Sequence, residues 1–376
     1  MDATISFKPH NPLPLRTLEQ TPRELLIQSI NRLVTLCSPE IAAKGPRQGF
    51  YQGPTSIAYL FFHLARSHPQ LLIQDKTPVA WFESYLLPPP IENPEENNNS
   101  DIDNATPPQP PTGILSEPLC HHALLAAHTQ DPTAFISTLE TTPLSPHQDF
   151  LLGNSGLLSL LRFVTTFVPS SAPLLTPHIT RVVAHIASSS WLYANHHFTG
   201  AVHGTAGILA QLCLSGGSTL PIVHSQLSAL LSLQRDDGNW YATADRKHEY
   251  MQWCHGAPGI LISLIAMEKY FVEDKEMSRR IRTAIEKGGD LVFEKGVITK
   301  EPCLCHGVVG NALAVEGWGR KVHLVSFAVG EGKEAEGEEW VKSSDVGGLY
   351  CGEAGRVWVW AMMDGGREGF PCFTDV

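Results

Sequence analysis

A short glycine step recurs along this 376-residue chain at nearly constant spacing, and nothing else in the sequence restricts the fold as much. It reads Gln52-Gly53-Pro54-Thr55-Ser56, Leu152-Gly153-Asn154-Ser155-Gly156, His203-Gly204-Thr205-Ala206-Gly207, His255-Gly256-Ala257-Pro258-Gly259, His306-Gly307-Val308-Val309-Gly310 and Cys351-Gly352-Glu353-Ala354-Gly355. From Gly153 through Gly204, Gly256, Gly307 and Gly352 the steps are 51, 52, 51 and 45 residues. A fixed period of this length is the signature of a repeat architecture. Gly53 and Gly153 lie 100 residues apart, two periods, so a degenerate unit is expected between them. Ser116-Glu117-Pro118-Leu119-Cys120, followed by the run from His121 to Thr129, is the candidate, which makes seven units.

After each glycine pair the apolar residues keep helical spacing, as in Ile208, Leu209, Leu212 and Cys213 or Ile260, Leu261, Leu264 and Ile265. A second helical stretch fits before the next motif, and strand signals are almost absent. The expected fold is therefore all-α, with two antiparallel helices per unit, stacked as a solenoid or closed into a ring. Motifs that differ in chemistry but hold one repeat position favour a ring, an (α/α)7 double barrel whose glycine loops share one end of a central cavity. Residues 1–376 are read as one domain. The stretch 88–112, rich in Pro, Asn, Glu and Asp, is expected to be a disordered insertion. Past Trp318 the pattern degrades, and the last unit is about six residues short.

Composition matters for what it excludes. A net charge of -11 argues against a dedicated nucleic-acid binder. No run approaches the roughly 18 apolar residues that a membrane span needs. Without a signal-peptide pattern at the start, the expected location is the cytoplasm. Eight cysteines in such a chain are better explained as buried residues and metal ligands than as disulfides.

Two of those cysteines, Cys254 and Cys305, hold the same repeat position, two residues before a motif glycine. A Cys-Cys-His set points to zinc. Cys254, Cys305 and His306 make that set, and spacing leaves His255 as an equal alternative to His306. Cys303 is a competing ligand, set aside because residues i and i+2 tend to point apart. Three protein ligands leave a fourth position open, where an incoming thiol would be deprotonated yet remain nucleophilic. His203 holds the position of His255 and His306 in the preceding unit and is a candidate acid or base. Asp149 is either a second cavity carboxylate or a helix cap. His196 and His197 read as surface or capping residues.

At these residues the sequence resembles the lanthionine synthetase C-like family, in its eukaryotic branch. The likeness runs from Tyr51-Gln52-Gly53 to the last motif and includes Asp237-Gly238-Asn239-Trp240 and Gly310-Asn311. It implies a double ring of seven inner and seven outer helices with one zinc at an end of the cavity, held by Cys254, Cys305 and His306. It further implies an active-site histidine at His203, an acidic partner at Asp149 and a glutathione contact at Lys300, with Lys342 the nearest match to another basic contact. The implied reaction is thioether formation, adding glutathione or a peptide cysteine to dehydroalanine or dehydrobutyrine in peptides or proteins. The glycine-less second unit, Pro54 and Thr55 in the first, and the short region after Trp318 depart from the pattern, and no family-typical arginine is evident near the N-terminus. Two other readings remain: a non-catalytic glutathione-binding zinc protein acting as sensor or adaptor, and an α/α-barrel glycosidase using Asp149 and Glu353.

Overall fold

The computed structural model describes residues 10–86, 110–245, 248–329, 340–341, 345–365 and 369–374. Among them there is no strand, only isolated bridges between loops. The helices are α1 (Pro22–Leu36), α2 (Pro39–Ala42), α3 (Pro54–Ser67), α4 (Pro78–Tyr85), α5 (Glu117–Thr129), α6 (Thr133–Thr141) and α7 (Asn154–Phe167). They continue with α8 (Ala172–Ser188), α9 (Thr205–Leu214), α10 (Pro221–Ser232), α11 (Ala257–Glu268), α12 (Lys275–Lys295), α13 (Val308–Ala312), α14 (Trp318–Val325) and α15 (Glu353–Gly365).

Each glycine motif opens an inner helix, and the helix that follows packs outside it. The inner helices α3, α5, α7, α9, α11, α13 and α15 touch in that order, and α15 returns to touch α3, which closes the ring. The inner faces are apolar almost all round. In α11 every residue from Ala257 to Leu264 is buried, whereas α12 outside it is strongly one-sided, with Ile281, Ile285, Leu291 and Val292 facing in. The all-α toroid expected from the repeat is thus the observed fold.

The seventh unit resolves differently from its linear reading. It is short because its outer helix comes from the other end of the chain: α1, held by a Thr21–Glu24 capping box, packs along α15. Glu353, 5% exposed in the first turn of α15, lies 3.4 Å from Arg32 of α1 and 3.3 Å from Arg356, so a buried carboxylate pins the closure. Arg356 also reaches Glu301 at 2.7 Å and donates to the Pro302 carbonyl at 2.8 Å, which fastens the loop that carries Cys303 and Cys305.

The motif glycines permit close backbone approach. A Cβ on Gly259 would stand 1.8 Å from the Trp253 carbonyl oxygen, six residues earlier, and Gly256 sits at φ +95°. In the second unit Cys120 takes the place of Gly259, six residues after Ile114, and its thiol donates to the Ile114 carbonyl at 3.3 Å. Glu117 replaces the first glycine. Its carboxylate accepts from the Gly49 amide at 2.9 Å and from the Thr55 hydroxyl at 2.6 Å. The two departures from the repeat, Thr55 and the missing glycines, therefore compensate each other across one interface.

Two expectations about segments need correction or fall away. Of the insertion read at 88–112, residues 88–109 lie outside the described residues, but Thr112 is 1% exposed and its amide donates to Leu152 at 3.0 Å. Thr112, at the end of that stretch, is therefore packed against the third unit. Residues 330–339, in the region past Trp318 where the pattern degrades, and Lys342 lie outside the described residues.

The segment Phe370–Thr374 enters the ring. Cys372 donates its amide to Tyr59 of α3 at 3.0 Å, and its sulfur lies 3.0 Å from the Ser159 hydroxyl of α7. The Phe373 carbonyl accepts from Gln211 of α9 at 2.9 Å, and Phe370 stacks on Trp253 at 4.5 Å. Contacts to α3, α7 and α9 together are possible only from inside, so the chain's own residues fill the middle of the ring beneath the motif loops. No single helix among the described residues is long and apolar enough to cross a membrane.

Candidate metal centre

The residues two before the motif glycines are wired to one another across units. The Cys254 amide donates to Cys305 at 3.2 Å, the Cys305 amide to Tyr350 at 2.8 Å and the Tyr350 amide to Tyr51 at 3.2 Å. Backbone pairing thus fixes where the neighbouring side chains converge. Asn239 and Asn311 hold the loops to the helices: Asn239 Oδ1 accepts from the Ala257 amide at 2.8 Å, and Asn311 Nδ2 donates to Met251 at 2.8 Å. This is why Asp237-Gly238-Asn239-Trp240 and Gly310-Asn311 accompany the cysteine motifs.

Among the described residues one group could hold a metal ion: Cys305, His306 and Cys351, whose ligand atoms all lie within 4.8 Å of one another. Cys305 is 4% exposed and Cys351 7%. Cys351 Sγ is 4.0 Å from His306 Nδ1. The Tyr51 hydroxyl spans the two sulfurs, 3.1 Å from Cys351 Sγ and 3.5 Å from Cys305 Sγ. Cys254 flanks the group on the Cys305 side; its sulfur takes a hydrogen bond from Gln252 Nε2 at 3.0 Å. Lys300 Nζ donates to Gln252 Oε1 at 3.1 Å, which links the lysine to the thiols through one buried amide.

Of the ligands expected from the sequence, Cys305 and His306 fall in this group and Cys254 does not; Cys351, not considered as a ligand, completes it. The signal was present: Cys351 stands directly before Gly352, as His306 stands before Gly307. Cys303 is outside the group, its sulfur receiving the His306 amide at 3.4 Å. His255 is also outside it. Burial, helped by His203 and Lys300, pushes the His255 imidazole down to about 4, so it is neutral over the physiological range. The Cys351 thiol is held far below the usual thiol range by hydrogen bonds from Cys303 and Cys305, against burial and with His306 adding. Cys305 and Cys303 are pushed up correspondingly, Cys305 mainly by its contacts with Cys254 and Cys351 and Cys303 mainly by burial. Four thiols at close quarters thus share their charge unequally.

His203 stacks on Tyr193 with ring centroids 3.9 Å apart and lies 6.2 Å from the His255 ring, one unit away from the thiols. Its Nδ1 is 3.5 Å from Asp149 Oδ1, too long and poorly aligned to be a made hydrogen bond, and both Nδ1 and Asp149 Oδ2 are buried without a partner among the described residues. Asp149 answers to both of its sequence readings. Its Oδ1 accepts from the amides of Leu151 and Leu152, each at 2.8 Å, as a cap would, and is also the oxygen nearest His203, while Oδ2 is buried without a partner among the described residues. His196 pairs with Asp245 at 2.8 Å. Glu353, the other carboxylate of the glycosidase reading, is engaged by Arg32 and Arg356.

Comparison with known proteins bears on this arrangement. The family described as lanthionine synthetase C-like protein matches residues 125–366. Two curated relatives are glutathione S-transferase LANCL1 of Danio rerio, 25% identical over 189 residues and 47% of this chain, and LanC-like protein GCL1 of Arabidopsis thaliana, 28% identical over 183 residues and 44% of this chain. The matched stretches span less than half of those relatives, 45% and 41% of their lengths. Among solved structures, nisin cyclase superposes with a TM-score of 0.56 over 92% of this chain and 95% of its own, at 13% identity, a likeness of fold.

Proposed function

Because this chain belongs to the lanthionine synthetase C-like family, we propose that it is a zinc-dependent catalyst of thioether formation, adding the thiol of glutathione or of a peptide cysteine to dehydroalanine or dehydrobutyrine residues. The observation that carries the reading is the convergence of Cys305 and His306 with a further sulfur donor, with Cys254 alongside. Buried thiols and an imidazole are the donors zinc prefers, and the mutual separations under 4.8 Å among Cys305, His306 and Cys351 suit the about 2.0–2.3 Å bonds of a tetrahedral site. Cys305 and His306, with Cys254 brought in from beside that group, would hold the ion. When bound, zinc supplies the Lewis acidity that keeps a substrate thiol deprotonated near neutral pH.

The remaining roles fall to this chain's side chains. Lys300, facing the cluster through Gln252, offers a cation to a carboxylate of glutathione. His203 gives or takes the proton at the carbon next to the carbonyl as the thiolate adds, and Asp149, whose Oδ1 lies 3.5 Å from His203 Nδ1, orients the imidazole. The Tyr193 ring stacked on His203 fixes the plane of the imidazole.

The test is mass spectrometry of a dehydroalanine peptide incubated with glutathione and zinc-loaded protein. A glutathione adduct is expected, and Cys305→Ala should lose both metal and adduct. Metal-free protein that forms adduct at the native rate would overturn the reading. The reading as a non-catalytic glutathione-binding zinc protein is favoured by one observation, the extra sulfur of Cys351 at the cluster; glutathione binding without adduct on any dehydroamino-acid peptide would select it.

A further inference from the structure

We propose that Cys351 is itself a ligand of the metal, so that Cys254, Cys305, His306 and Cys351 form a four-donor set in which the chain's own thiol holds the place a substrate thiol must take. This rests on the metal reading above and deepens it. Three observations converge. Cys351 is one of the three residues whose donor atoms cluster within 4.8 Å. Its sulfur stands 4.0 Å from His306 Nδ1, against the about 3.5 Å edge of a tetrahedron with such bonds. The Tyr51 hydroxyl also approaches both Cys351 and Cys305, so the two sulfurs are presented toward one point rather than along separate walls.

The repeat explains how the residue arrives there. Units six and seven are joined by the hydrogen bond from the Cys305 amide to Tyr350, and Cys351 follows Tyr350 as His306 follows Cys305. Two adjacent units therefore present their residues directly before the glycine, His306 and Cys351, to the same point. Three thiolates and an imidazole are the donor set of closed structural zinc sites, whereas three protein ligands leave a position free for chemistry. Under this assignment Cys351 would hold the position that a substrate thiol needs, and a Cys351 thiol displaced from it would carry the proton that the incoming thiol gives up, leaving the charge of the site unchanged.

Cobalt loading of the full chain tests this without relying on turnover. The sulfur-to-cobalt charge-transfer band per bound metal reports the number of thiolates. Cys351→Ala should lower it by about one third, three thiolates becoming two, while Cys303→Ala should leave it unchanged. Adding glutathione to the Cys351→Ala protein should restore the lost third, and in a chelator competition the variant should bind zinc at least about ten-fold more weakly. If Cys351→Ala fails to fold, Cys351→Ser keeps the volume and is read in the same way. A variant with native band and native affinity overturns the proposal while leaving the metal reading in place. Native protein that binds neither cobalt nor zinc removes both, so the two failures are distinguishable.

Discussion

The loops of units one and two and the loops of units five to seven have the same backbone design and opposite chemistry. In the first arc the motif residues serve the fold: Glu117 is buried at the interface and takes hydrogen bonds from Gly49 and Thr55. In the second, the two residues before each glycine include Cys254, Cys305, His306 and Cys351, which gather near one another. One scaffold therefore supports either purpose, depending on which residues stand at and just before the glycine. The difference teaches that function in this ring is read at a repeat position and not in an element.

The largest test of that contrast is at its border, where His203 and Asp149 belong to neither arc. If the functional arc extends to unit four, His203→Ala retains zinc and loses about 10²–10⁴-fold in the rate of thiol addition. Metal analysis and single-turnover kinetics on the same sample check this. An unchanged rate would return His203 to a packing role against Tyr193. A smaller effect is expected in the structural arc. Glu117→Ala leaves the Gly49 amide and the Thr55 hydroxyl without their acceptor and should destabilise the fold by about 3 kcal/mol in urea unfolding, with zinc content unchanged. Loss of zinc in that variant would show that the arcs are coupled rather than separate. Third in size, Lys300→Ala should raise KM for glutathione roughly ten-fold with kcat little altered, the pattern of lost uniform binding; a change in kcat alone would place Lys300 in the chemistry.

How much of this was legible beforehand follows from where the information lies. The spacing of the glycines carried the seven inner helices, including the degenerate second unit, because close backbone approach leaves a local mark in sequence. The same spacing set Cys254 and Cys305 at one repeat position but left His255 as an equal alternative to His306, since a repeat position does not say which side chain turns to a neighbouring unit. The packing of α1 on the last inner helix was not legible, since it depends on Arg32, which belongs to no motif, meeting Glu353 more than 300 residues away. The filling of the ring by Phe370–Thr374 was equally hidden, because short aromatic segments look alike wherever they pack. Cys351 lay in plain view at the right repeat position, but the expectation of three ligands and an open fourth left no place for it. Asp149 carries the cap that its place before Phe150 suggested, through Oδ1.

The smallest expected effect concerns pH in the structural arc. His121, 5% exposed on α5, is pushed down to about 4 by burial, with His122 and Arg47 adding, and its Nδ1 has no partner among the described residues. Its folded value lies below the ordinary value near 6.5, so the unfolded chain binds the proton first as pH falls. The contribution of neutral His121 is therefore complete above about 6.5 and is lost as pH drops toward about 4. Glu117, four residues earlier, moves oppositely: burial raises its carboxyl, so its protonated form favours the fold at low pH and that gain is lost as pH rises through the raised value. The two are separated by comparing native protein with His121→Gln in urea unfolding between pH 4.5 and 7.5. The variant should lose less stability than the native chain over the acid half of that range. Parallel curves would mean that the His121 ring gains a proton in the fold as readily as in water, and the arc that holds it would then be wetter than its packing implies.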